Sequence, residues 1–192
     1  WAQAETHFDE ALEAIDLFPV DASGPAPVPL RAALLVALGW TRHALGDAGE
    51  ATRLLVEAGE VARELGLPHE MARAALFLTG RAGRGAAHTK ADDERIRRLR
   101  AALDAVTTWP VPTVDHDTAL FPMSDAALAP LRTAVEVELA WAMLFTGSLA
   151  ERTELLSGTL ERARAEGAVP SRLARALLAQ RNILTGPGQL PA

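Results

Sequence analysis

The sequence contains no cysteine and no tyrosine, and aromatic residues make up only 5% of it. Without thiols there are no disulfides and no thiol chemistry, a composition that suits a reducing compartment. No stretch reaches the roughly 20 consecutive apolar residues of a membrane-spanning helix. The opening residues WAQAETHFDEA lack the basic end and apolar core of a signal peptide. The expected location is therefore the cytoplasm, with no membrane partner. A net charge of -6 argues against nucleic-acid binding through a basic surface, because neutralising phosphate takes clustered Lys and Arg. No GxxxxGK[ST] stretch is present to wrap a phosphate in backbone amides, and the looser run Gly80, Gly83 and Gly85 follows a predicted helix, which makes it a helix terminus and turn. No segment alternates like a strand for long.

What remains is rich in Ala and Leu, with 49% hydrophobic residues over 192 positions. Such a composition favours close-packed helices over a β-sandwich. The organising stretch runs from Leu30 to Leu65. Its second half places Ala51, Leu54, Leu55, Ala58, Val61, Ala62 and Leu65 on one face of a helix, with Glu50, Arg53, Glu57, Glu60 and Glu64 opposite. Gly46 suits the left-handed turn that ends the preceding helix, and Asp47 with Glu50 has the spacing of a capping box.

The same pattern returns 101 positions later. Leu30, Arg31, Leu38, Trp40 and Gly46 recur as Leu131, Arg132, Leu139, Trp141 and Gly147. Leu54, Leu55, Ala62, Arg63 and Gly66 recur as Leu155, Leu156, Ala163, Arg164 and Gly167, and Ser148 with Glu151 repeats the caps. Joint recurrence of caps and core residues identifies a helical repeat array.

Taken in order, residues 1–17 read as a partial repeat, a helix with Ala4, Phe8, Ala11, Leu12 and Ile15 inside and Glu5, Asp9, Glu13 and Asp16 outside. Prolines and small residues make 18–29 a linker. Repeats follow at 30–66, with helices about 30–46 and 48–65, and at 68–107, with helices about 69–80 and 90–107. In the last of these Thr89 and Asp92 provide a cap, and Ile96, Leu99, Leu103 and Val106 the buried stripe. A long loop occupies 108–126. One more repeat spans 127–167, with helices about 127–146 and 149–166, and a partial repeat covers 170–186. The uncapped first helix and the unpartnered last one lead us to expect one helical-repeat domain, 1–192, cut from a larger protein. The expected fold is an all-α solenoid of about seven or eight helices in antiparallel pairs.

The organising pair resembles a tetratricopeptide repeat in Leu38 and Gly39, the Gly46–Asp47 turn, and Ala51, Leu55 and Ala58. That resemblance implies that the solenoid is tetratricopeptide-like and right-handed. The later copy departs from that pattern at Ala140, Arg152 and Thr159. Ala62–Gly80, Pro130–Gly167 and Ser171–Gly188 also resemble the repeat region of large actinobacterial LuxR-type, ATP-binding transcriptional regulators. That resemblance implies a non-catalytic sensor array that relays binding of a protein or small-molecule effector to ATP-binding and DNA-binding domains elsewhere in the parent chain. It implies no direct nucleic-acid binding by this segment.

Candidate chemistry is sparse. Asp115, His116 and Asp117 are the only compact set of potential metal ligands, and three consecutive residues seldom converge on one ion, so a polar loop is the simpler reading and no metal is expected. His7, His43, His69 and His88 lie scattered, with no nucleophile at a telling spacing. Neither catalysis nor a cofactor is therefore expected. Arg95, Arg97, Arg98 and Arg100 read as a solvated helix face, with Asp93 and Glu94 placed to pair with Arg97 and Arg98. Trp40 and Trp141 hold equivalent places on first helices, which line the concave side of such a solenoid. They serve either to stack on a ligand or to pack neighbouring helices, and packing is the more economical reading. Arg31, Arg42, Arg73, Arg132 and Arg175 share those helices and form either an anion-attracting rim or pairs with the abundant Glu. The groove candidates are thus Trp40, Arg42, Arg73, Trp141 and Arg175. The rival functions are a free-standing tetratricopeptide-like adaptor that binds a peptide or protein and, more remotely, a small-molecule enzyme.

Overall fold

The computed structural model describes residues 1–17, 28–79, 90–108, 125–143 and 148–165. Those residues form seven α-helices and no strand: α1 (Ala2–Asp16), α2 (Val28–Ala44), α3 (Ala48–Glu64), α4 (Pro68–Thr79), α5 (Lys90–Thr108), α6 (Asp125–Ala142) and α7 (Leu149–Ala165). The protein is all-α. Most predicted helix bounds agree with these to within two residues. The one expected over 127–146 is described from Asp125 to Ala142, and 144–147 lie outside the described residues, as do the final helix expected over 170–185, the Thr89 cap and the loop residues Asp115, His116 and Asp117.

Each helix packs on the next in sequence, and α2, α4 and α6 also touch in succession. Every second helix, α3 or α5, is therefore wedged between its own first helix and that of the following pair. This is how a hairpin with one apolar face on each helix covers itself with its neighbours.

The turns follow the sequence closely. Gly46 has φ 92° and Gly66 φ 63°, the left-handed region where a side chain is strained. The Asp47 side chain accepts the Glu50 amide at 3.1 Å, and Ser148 Oγ accepts the Glu151 amide at 3.0 Å. Equal caps therefore start α3 and α7, whose positions correspond in the two copies.

Burial repeats with the caps. Leu38 and Leu139, Leu55 and Leu156, Val36 and Val137, and Ala62 and Ala163 are all buried. The departures are accommodated locally. Ala140 is fully buried, and the Thr159 hydroxyl, also buried, donates to the Leu155 carbonyl at 2.7 Å. At Gly39 the helices come very close, since a Cβ there would sit 2.8 Å from Leu55 Cγ. Its counterpart Ala140 already carries that methyl.

Three apolar clusters hold the helices together. One joins α2, α3 and α4 through Leu35, Val36, Leu38, Leu54, Ala58 and Ala74, with Phe8 and Leu12 of α1 against it. A larger one joins α4, α5 and α6 around Leu99, Val135, Leu139 and Met143. The third, Val137, Ala140 and Leu156, lies between α6 and α7.

Two expectations need correction. Leu65 is 38% exposed rather than buried, because it stands one residue past the end of α3. On α1, Glu5 and Asp9 do not point outward: both bind the Arg42 guanidinium of α2, Asp9 at 3.2 Å. The inner positions Ala4, Phe8, Ala11, Leu12 and Ile15 are half-buried, and α1 has no fully buried residue.

Candidate functional site

The first helices present an aromatic ledge. Trp40, on the last turns of α2, stacks on Phe77 of α4 with ring centroids 4.8 Å apart and planes inclined by 29°. His43, one turn on, also stacks on Trp40, with ring centroids 5.7 Å apart. The Arg73 guanidinium carbon stands 5.9 Å from the Phe77 centroid, within cation–π range. Trp40 therefore packs between successive first helices, and it still keeps 40% of its surface exposed.

Trp141, its counterpart, is half-buried and packs against the Val137, Ala140 and Leu156 cluster. Arg175 lies outside the described residues. The remaining arginines of these helices are mostly engaged. Arg42 is held by Glu5 and Asp9, Arg31 by Asp16 and, at 3.1 Å, by Glu57, and Arg132 reaches Glu136 at 3.3 Å. Of the four described, Arg73 alone takes no carboxylate among the described residues and lies over the Phe77 ring instead.

The arginines of α5 are not merely a solvated face. Glu94 binds Arg98 at 2.6 Å, as the four-residue spacing predicts, and also takes Arg97, three residues on. Arg95, with a side chain only 17% exposed, crosses to Glu138 of α6 at 3.6 Å, and Arg100 reaches Glu151 of α7 at 2.8 Å. A single-helix pattern does not reveal these cross-helix partners. Partial burial would push the Glu94 carboxyl up, but the Arg97 hydrogen bond and the charges of Arg98 and Arg97 outweigh it and hold the group below its ordinary value.

On another side of α4 lies a cleft of about 380 Å³ between α3 and α5. Its floor is apolar, formed by Leu55 and Gly59 of α3, Met71, Ala74, Ala75 and Leu78 of α4, and Ala101 and Ala102 of α5. Its rim is charged, with Glu60 and Arg63 on one wall and Glu94, Arg97 and Arg98 on the other. None of the groove candidates Trp40, Arg42, Arg73 or Trp141 lines it. The sequence signal for this cleft was slight: a run of small residues, Gly59, Ala74, Ala75, Ala101 and Ala102, where three helices meet, leaving room that larger side chains would fill.

Comparison with models of known protein families, with curated proteins and with solved structures yields no match.

Proposed function

We propose that this chain is a recognition module: a segment of a tetratricopeptide-like right-handed solenoid that works as the non-catalytic sensor and coupling array of a LuxR-type, ATP-binding transcriptional regulator. The observation that carries the reading is the repeated hairpin. Positions equivalent in sequence share caps and burial, and successive first helices stand side by side with Trp40, Phe77 and Arg73 on their shared face. A stack of interlocked hairpins suits binding at one place and response at another, because a ligand that prefers one arrangement of neighbouring pairs shifts the population of the whole array. The partner is a protein or small-molecule effector, and the response passes to ATP-binding and DNA-binding domains in the same polypeptide, which works in the cytoplasm. The LuxR-type assignment itself is supported by the local phrasing of Ala62–Gly80 and Pro130–Gly167.

The test is a reporter gene driven by the regulator that contains this segment, with residues 1–192 deleted in frame. Loss or constitutive activation of the response supports the reading. Unchanged regulation overturns it.

A further inference from the structure

The cleft between α3 and α5 has the makings of a ligand site that the aromatic ledge does not share. Its volume of about 380 Å³ falls at the lower end of the range for small-molecule pockets. The floor presents hydrocarbon, with Leu55, Met71 and Leu78 offering the largest surfaces. The rim holds three guanidinium groups against two carboxylates, one net positive charge in a chain of net charge -6. Glu94 is shared by Arg97 and Arg98, whereas Arg63 is exposed on the opposite wall and makes no ion pair among the described residues.

We propose that this cleft binds a small amphipathic monocarboxylate, its hydrocarbon part on the α4 floor and its carboxylate on Arg63. A neutral alcohol of equal length gains the floor but not the cation. A cationic amphiphile meets the guanidinium groups unfavourably. A multiply charged anion gains little beyond the first charge, because the single excess cation is surrounded by an acidic protein. The proposal rests on the recognition reading for its biological role and on the cleft for its chemistry.

The experiment is calorimetric titration of the 192-residue chain with decanoate, decanol and decyltrimethylammonium. Decanoate is expected to bind one site about tenfold more tightly than decanol, a charge-assisted contact's worth of affinity. Arg63→Gln should abolish that preference without altering thermal stability, since Arg63 is exposed and makes no ion pair among the described residues. Gly59→Leu should remove binding of both, because Gly59 lines the cleft and its Cβ would meet only Ala74 Cβ, at 3.8 Å. No binding of decanoate, equal binding of decanol, tighter binding of the cation, or undiminished binding by a folded Gly59→Leu chain would each overturn the proposal. If decanoate binds as stated while deletion of the array leaves regulation unchanged, the ligand site stands and the regulatory reading falls. Altered regulation with no decanoate binding gives the reverse.

Discussion

Glu136 of α6 and Arg162 of α7 form an ion pair at the positions that Leu35 and Val61 occupy in the earlier hairpin, 101 residues before. In the first copy the contact is apolar: Leu35 is buried and Val61 packs against its cluster. In the second copy Glu136, with a side chain only 3% exposed, also takes Arg132 at 3.3 Å. The equivalent of Arg132 is Arg31, which finds its carboxylate on α3 at Glu57, where the second copy has Gly158. The two hairpins thus use one geometry with different chemistry at the same joint.

Removing the carboxylate alone, Glu136→Leu, leaves Arg132 and Arg162 unpaired beside a buried surface and should cost about 2 kcal/mol. Adding Arg162→Val restores the pair found in the first hairpin, and stability should return to within about 1 kcal/mol of the parent. Urea denaturation of the parent, single and double variants decides this. A double variant less stable than the single would show that the joints are not interchangeable.

Two glycines in the same hairpin should respond oppositely to one added methyl. Gly39→Ala forces its Cβ onto the buried Leu55 Cγ and should destabilise by about 1–2 kcal/mol even after the gain in helix propensity. Gly59→Ala meets only an ordinary contact and should stabilise by about 0.5–1 kcal/mol. Thermal melts of both variants check the signs.

Asp47→Ala and Ser148→Ala each strip the side-chain acceptor from a helix start and should cost about 1 kcal/mol apiece. Since they lie in different hairpins and share no partner, their effects should add. Chemical denaturation of the two single variants and the double measures both quantities.

Acid should weaken the surface pairs of Glu50 and Glu94. The Arg53 hydrogen bond lowers the Glu50 carboxyl below its ordinary 4.5, and the arginines around Glu94 lower that group likewise. A carboxylate depressed in the folded chain adds stability that is complete above its unfolded value and fades as pH falls from 4.5 through the folded one. Both side chains remain partly exposed, so solvent screening holds each contribution to about 0.5 kcal/mol. Glu50→Gln and Glu94→Gln should therefore reduce stability slightly at neutral pH and converge with the parent in acid. Stability measured across pH 2–7 would contradict this if the variants differed from the parent most in acid.

The hairpins and their caps were readable because Gly46, Asp47 and Ser148 act on residues three or four positions away, so their effect is local in sequence. Leu38, Leu55 and Ala62 were legible for a similar reason, since helical spacing alone puts them on the inner face. Glu5 and Asp9 were not. Their outward assignment follows from α1's own periodicity, and only the approach of α2 brings Arg42 to them. The partners of Arg95 and Arg100 are hidden in the same way, because their carboxylates sit on other helices. The cleft was least legible of all, being space left where three helices bring small residues together. Trp40 lay between these extremes: its place on a first helix was plain, but its Phe77 neighbour belongs to the next pair.

The α1 helix, which buries no residue completely, is held to α2 by the contact of Phe8 and Leu12 with the core and by Arg42 gripping Glu5 and Asp9 and Arg31 gripping Asp16. The Debye length shrinks from about 10 Å at 0.1 M salt to about 3 Å at 1 M, so molar salt weakens such half-exposed pairs while apolar contacts keep their strength. Dissolved ions are therefore a selective handle on this one helix: raising their concentration should speed amide exchange in α1 while leaving α3 and α6 as protected as before.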